Sequence, residues 1–422
     1  MKLNKILLAL AASGVATSAF ATNGYFAHGI GVKAKGMGGA SIAFAEDGFG
    51  AATNPANLAQ VKDGYSIGVS AFAPDRAVNG AGEIGIANTW ANNANLSGTA
   101  DHDGNEAADA FAIPEFVYNK TYNDKINWGV VVYGNGGMNV DYGKAMYDSS
   151  ANTTSNLEQL FIAPTLSYKL NERNTVAASL NIVYQTFKAT GLNWFTGYTR
   201  TGTVDPGGHG TDDSTGVGVK LGWAGKLSDA LTAGAFYQPE TSMGKFSKYK
   251  DLFAQDGGFD IPETYGVGIA YKANPKTTVA LDVVQINYSG IKSLANRNNH
   301  NTGNTDLGAE DGKGFGWSDM TVFKLGVAHQ MDDKTTIRAG WNYGEQPISA
   351  DQLDFNLLAP AVVEHHLTAG LTRVLDKQSD ISLHAMYAPN VKITGTGTVG
   401  SLYMDSLQMS QYEIGIQYSR KF

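Results

Sequence analysis

From about Tyr65 to the last residue, apolar and polar side chains alternate with a period of two. The final run is the clearest. Tyr412, Ile414, Ile416 and Tyr418 share one face, and Gln411, Glu413, Gly415 and Gln417 share the other. The same division recurs in Val217, Val219, Leu221 and Trp223 against Gly216, Gly218, Lys220 and Gly222. It returns in Tyr265, Val267, Ile269 and Tyr271, and again in Ile381, Leu383, Ala385 and Tyr387. Successive side chains of a strand point to opposite faces, so each run predicts a strand with one apolar wall and one small or polar wall.

The connections alternate as well. Short turns rich in Asn, Asp and Pro are expected at Asn123–Lys125, Asn171–Asn174, Ser228–Asp229, Asn274–Lys276, Asp332–Lys334 and Asp376–Gln378. Between them lie longer Gly/Asn-rich stretches near 76–110, 138–156, 191–213, 243–259, 290–318, 346–362 and 390–410. Short turns on one side and long loops on the other are the layout of a transmembrane barrel with an even strand number. Six turns and seven loops predict an all-β chain, a 14-stranded antiparallel transmembrane β-barrel. A soluble sandwich or propeller would place polar residues where these runs carry Val, Leu, Trp and Tyr.

The first residues fit such a destination. Two lysines in Met1–Lys5 precede an uncharged run from Ile6 to Phe20, and Ala19-Phe20-Ala21 has the form of a signal-peptidase site. Residues 1–21 are therefore expected to be a cleaved signal peptide, with residues 63–422 forming the barrel. No later run is long and apolar enough for a membrane helix. Glycine and tyrosine are abundant, at 51 and 20 residues, as crowded inner walls and interfacial girdles require. The absence of cysteine excludes disulfide and thiolate chemistry, and a net charge of -8 argues against nucleic acid as a partner.

Residues 22–62 break the pattern, being rich in Gly and Ala with few alternating runs. Their apolar side chains, Tyr25, Phe26, Phe44 and Phe49, would be unfavourable if exposed, so this segment is expected to be a small hatch folded into the lumen. Three of its elements carry a resemblance: Asn23-Gly24-Tyr25-Phe26-Ala27-His28-Gly29, Lys35-Gly36-Met37-Gly38-Gly39-Ala40, and Ala52-Thr53-Asn54-Pro55-Ala56-Asn57-Leu58. They resemble the N-terminal hatch of the FadL/TodX family, outer-membrane channels for long-chain fatty acids and other hydrophobic compounds. Gly316-Trp317-Ser318-Asp319 leading into Val322-Phe323-Lys324 is similar to the family's strand after the fifth outer loop. Val130–Tyr133 running into Gly134, Asn135, Gly136 and Gly137 is similar to its third strand.

On the residues alone, Gly134–Gly137 is either a break in the strand or its end entering a loop. The resemblance implies the break, a kink that opens a hole towards lipid. It also implies that the extreme N-terminus reaches the ligand pocket, which makes Tyr25 and Phe26 candidate contacts beside Phe187, Trp317 and Lys324. Asn54, Pro55 and Ala56 read as a rigid turn anchoring the hatch to the wall rather than touching substrate.

Family members that take fatty acids pair an apolar pocket with basic residues, because a buried carboxylate needs a cationic or hydrogen-bonding partner. Here Ser318 follows Trp317 where those transporters tend to carry Lys, and Lys188 falls on the outward face by parity. Either another base serves, such as Lys220, Lys324 or Arg338 on inferred lumen faces, or the wall is merely polar and the cargo uncharged.

Other chemistry finds little support. No HExxH motif occurs, and His365-His366 would point one ring each way from a strand, so no metal or other cofactor is expected. The oxygens of Asp101–Glu106 suit calcium, but the glycine is misplaced for an EF-hand and a solvated loop is expected. With neither a nucleophile elbow nor a dinucleotide fingerprint, the chain reads as a non-enzyme. The expected partners are a hydrophobic small molecule, outer-membrane lipid and lipopolysaccharide. The barrel-assembly machinery is expected to read the terminal strand ending in Phe422, and the protein is expected to be a monomer. Two other functions fit the same architecture: a diffusion porin for small polar solutes, or a surface adhesin or phage receptor.

Overall fold

The computed structural model describes residues 23–80, 99–101, 110–143, 151–298, 306–395 and 404–422. The signal-peptide segment lies outside the described residues, as do 102–106 of the calcium-friendly loop. Fourteen long strands follow one another: β1 (Gly64–Gly80), β2 (Phe111–Thr121), β3 (Ile126–Asp141), β4 (Thr154–Lys169), β5 (Asn174–Thr190), β6 (Asp212–Lys226) and β7 (Leu231–Gln238), then β8 (Thr264–Asn274), β9 (Thr277–Ile286), β10 (Met320–Gln330), β11 (Thr335–Gly344), β12 (His365–Val374), β13 (Ser379–Thr394) and β14 (Met404–Lys421). Each pairs antiparallel with its sequence neighbours, and β1 pairs with β14 from Gly64↔Lys421 to Gly80↔Met404, which closes the barrel. A short ribbon, Thr99–Asp101, extends the upper end of β1.

The burial pattern is that of an inside-out protein. Ile414 is 65% exposed and Val217 63%, whereas Gln411, Glu413, Gln417 and Asn181 are buried. All four apolar faces named from the sequence point outwards, as a lipid-facing band requires. Every expected short turn is closed by the side chain that marked it. The carboxamide oxygen of Asn123 accepts from the amides of Lys125 and Ile126, that of Asn171 from Arg173 and Asn174, and that of Asn274 from Lys276. Asp332 and Asp376 accept from Lys334 and Gln378, and the Ser228 hydroxyl from Leu231.

The outer ends of several strands run further than the alternation predicts. β1 continues to Gly80, β13 to Thr394, and β14 begins at Met404, so the last connection is far shorter than 390–410. Above the bilayer the outward face need not be apolar, and the period-two signal fades while the ladder continues. In β13 the register shifts between Ala388 and Val391, at Pro389, which cannot donate to the ladder.

Candidate functional site

Residues 23–62 lie against the inner wall around its circumference. The segment folds into two single-turn helices, α1 (Val32–Lys35) and α2 (Gly50–Thr53), and a 3-10 turn at Pro55–Gln60. Its buried charges meet opposite charges on the wall. The Lys35 ammonium is 2.8 Å from Glu413 and 3.3 Å from Glu115, and Lys33 is 2.9 Å from Asp380. The Arg338 guanidinium donates to both oxygens of Glu46 at 2.6 Å. The Glu115 carboxylate also accepts from the Gly31 amide, and Asp282 accepts from the amides of Ser41 and Ile42 at 2.7 and 2.9 Å.

These surroundings set the protonation of the segment's own groups. Burial works against the Lys35 ammonium, but Glu115 and Glu413 together hold its pKa above the ordinary lysine value. Burial likewise disfavours the Glu46 carboxylate, and Arg338 more than offsets it, so the pKa falls below 4.5. The His28 imidazole, buried and stacked 5.8 Å from His366, is pushed well below its usual range by desolvation, against the pull of Glu413.

The Asn54-Pro55-Ala56 turn sits on β6. The Asn54 carboxamide donates to the carbonyls of Ile42 and Trp223, each at 2.8 Å, and accepts from the Ala56 amide. A Cβ on Gly222 would collide with Asn54 and Pro55, so the wall is glycine where the turn approaches.

The glycines of β3 lie within the strand, which continues past them to Asp141. Gly134 faces Leu160 of β4 and Gly136 faces Gln159, leaving Asn135 as the extra residue of a bulge. On its other side β3 pairs with β2 only from Thr121↔Asn127 to Phe116↔Val132. Beyond that point β2 remains on β1 and β3 remains on β4. The Gly137 amide there donates to the Tyr25 carbonyl at 3.1 Å, and the Tyr25 ring packs over Gly136.

Above the segment the lumen is apolar and aromatic. Tyr25 contacts Phe26 (ring centroids 4.8 Å apart), Tyr288 (5.6 Å), Phe259 (6.0 Å) and Trp317 (6.2 Å). Trp317 donates its indole N–H to Asn356 at 2.6 Å. Phe187 lies further along the same core, joined to Tyr25 through Phe253 and Phe259. Of the residues singled out in the sequence, Tyr25, Phe26 and Trp317 thus form one cluster with Phe187 at its edge. Lys324 is not in that ring cluster but lines a small cavity with Phe26, where its ammonium donates to the His28 carbonyl at 2.9 Å. Lys220 is also buried and donates to the Ala52 carbonyl at 2.6 Å.

Sequence reading missed the aromatic residues of the β7–β8 connection, Phe246, Tyr249, Phe253 and Phe259, because loop residues carry no period. It also missed the partners of the segment's charges. The signal was present: Glu115 and Glu413 stand on inward positions of their strands, opposite a segment that carries Lys33 and Lys35.

Comparison with known proteins agrees with this architecture. Residues 8–422 match the family described as outer membrane protein transport protein (OMPP1/FadL/TodX). The chain is 22% identical to the long-chain fatty acid transport protein of Escherichia coli K12, over 92% of this chain and 93% of that one. Among solved structures, a Pseudomonas aeruginosa FadL homologue superposes with a TM-score of 0.70 at 15% identity, covering 94% of this chain and 100% of the other. The P. putida toluene transporter TodX gives 0.67 at 18% identity, covering 94% and 99%. The fold is shared over 94% of the chain, and the chain belongs to the FadL/TodX family of outer-membrane transport proteins.

Proposed function

We propose that the protein takes up hydrophobic molecules, long-chain fatty acids or hydrocarbons, passively across the outer membrane. Cargo enters among the long loops and settles against the apolar interior built around Tyr25, Phe26, Phe187 and Trp317. Movement of the N-terminal hatch then frees a sideways exit at Gly134–Gly137, so that an apolar molecule reaches the bilayer without crossing water. The concentration gradient supplies the driving force.

The observation that carries this reading is the combination at β3. The β2–β3 ladder stops at Val132, just before the bulge, and the residue bonded to the strand just beyond the bulge is Tyr25 of the hatch. The relatives' names support the cargo class, since one is described as a fatty acid transporter and another as a toluene transporter. The test is uptake of labelled oleate and of labelled toluene by a strain lacking the gene. Restoring this chain should raise uptake of at least one, and restoration that changes neither defeats the reading.

A further inference from the structure

At the short-turn end of the barrel, cations and carboxylates are unevenly matched. On one side, from β11 round to β14, they pair: Lys33 meets Asp380 at 2.9 Å, Lys421 meets the same carboxylate at 3.9 Å, and Arg338 meets Glu46. On the other side, from β3 to β8, a vestibule is lined by Lys125, Lys169, Arg173, Lys226 and Lys272 against Asp124 and Glu172. None of these five cationic side chains forms an ion pair among the described residues. The excess stands on a chain whose net charge is -8. Unpaired like charges on one wall raise the local positive potential and favour an anionic partner. Alternation decides where they point. Lys169, Lys226 and Lys272 each stand two residues beyond a buried inward residue, Ser167, Ala224 and Ala270. The adjacent positions, Leu170, Leu227 and Tyr271, are exposed and apolar, as the lipid side requires. The three ammoniums are thereby aimed into the aqueous mouth and away from phospholipid.

Beneath this rim the vestibule is apolar. Ala224 and Ala270 line its wall, and Phe44 of the N-terminal segment, half-buried against the cluster of Met37, Ala40, Ala280 and Ala328, adds a ring. From β3 to β8 there are five strand spacings, about 24 Å of wall. No small anion reaches along that arc, whereas an extended peptide covers it with about seven residues at about 3.3 Å each. We propose that this mouth is a docking site for an acidic, extended segment of a periplasmic protein, with one apolar side chain set against Phe44. The occupant is anionic because the rim is cationic and unpaired. It is a polypeptide because the arc is long and the floor is apolar. Phe44 belongs to residues 23–62, so the docked segment also covers that part of the chain from the periplasmic side.

The purified protein in phosphatidylcholine nanodiscs is titrated with a fluorescent peptide, a run of Asp and Glu around one Leu, and with a counterpart built from Lys and Arg. The acidic peptide should bind and the basic one should not. Raising salt from about 0.1 M to about 1 M, which shortens the Debye length from about 10 Å to about 3 Å, should weaken binding about tenfold. Lys226→Glu/Lys272→Glu should weaken it about tenfold at low salt, and Lys226→Arg/Lys272→Arg should preserve it. Phe44→Ser should weaken binding of the Leu peptide and leave a peptide with Ser in place of Leu unaffected. Lys226 and Lys272 are exposed, so their variants should keep the heat-shifted gel mobility of a folded barrel. Should the charge-reversed variant not assemble, Lys272→Gln alone is read in the same way. Equal binding of the acidic and basic peptides, or acidic binding that charge reversal leaves unchanged, overturns the proposal. So does a lipid outcome, in which charge reversal lowers retention of phosphatidylglycerol in native mass spectrometry and leaves peptide affinity as it was.

Discussion

The amide of Gly137 donates to the carbonyl of Tyr25, so a residue of the N-terminal segment bonds β3 where the β2–β3 ladder has ended. Deleting Asn135 removes the extra residue of the bulge while leaving Gly134↔Leu160 and Gly136↔Gln159 as consecutive pairs. If the exit lies here, a straightened β3 pairs further with β2 and closes it. Uptake should fall by about tenfold, equivalent to about 1.4 kcal/mol on the passage step. Unchanged heat-shifted mobility on gels would show that the barrel is intact, and undiminished uptake would move the exit elsewhere.

The Arg338–Glu46 pair fixes one side of the segment to β11. Glu46→Gln leaves the buried guanidinium without its charge partner. Because the Glu46 side chain is itself 21% exposed, the loss is smaller than for a fully buried pair, about 2 kcal/mol. Amides of residues 23–62 should then exchange with solvent about thirtyfold faster by mass spectrometry, while the strands remain protected.

Seating of the segment should weaken in mild acid. His28 is accommodated as a neutral ring, its pKa depressed chiefly by burial, whereas an unseated His28 takes a proton near 6.5. The unseated form then binds more protons, so seating is at full strength above pH 6.5 and declines as pH falls below it, by up to about 1.4 kcal/mol per pH unit. Glu46 adds a second acid step: its contribution is present above 4.5 and is lost as pH falls through its lower seated value. Lys35 acts at the other extreme, where its contribution persists below 10.5 and disappears only as pH rises through its higher seated value. Opening events in planar bilayers should become more frequent between pH 6.5 and 5.5, and His28→Gln should flatten that dependence.

Removing residues 23–62 tests the barrier directly. The segment forms one wall of a vestibule of about 760 Å³ at the short-turn end, beside Lys125, Arg173 and Lys272. Without it the vestibule joins the lumen, and ionic conductance should rise by about an order of magnitude, as expected of a water-filled barrel. A conductance equal to that of the full chain would mean that the outer loops, not the segment, close the channel.

What the sequence made legible was whatever repeats or is locally determined. The faces of β6, β8, β13 and β14 followed from period two, and the turns from side chains that bond the backbone two or three residues on. The Asn54-Pro55 turn was readable for the same reason. Interactions joining distant positions were hidden, because Lys35 and Glu413 become neighbours only once the barrel is closed. The aromatic cap was hidden for another reason: in a loop such as Phe246–Phe259, burial is decided by what the loop folds onto. The bulge at Asn135 fell between, since the glycines mark a place where a ladder is able to break, and pairing partners decide that it does.

The seam between β1 and β14 has a consequence for assembly. The Val32 amide bonds Gln417, Gln417 in turn bonds Asp47, and Lys35 bonds Glu413, so the segment is tied to β14. Closing the wall around an empty interior would bury Glu413 and Gln417 without these partners. Zipping the seam and seating residues 23–62 are therefore one cooperative event. Substitutions in residues 23–62 should first appear as slow maturation of the protein, before any effect on its permeability.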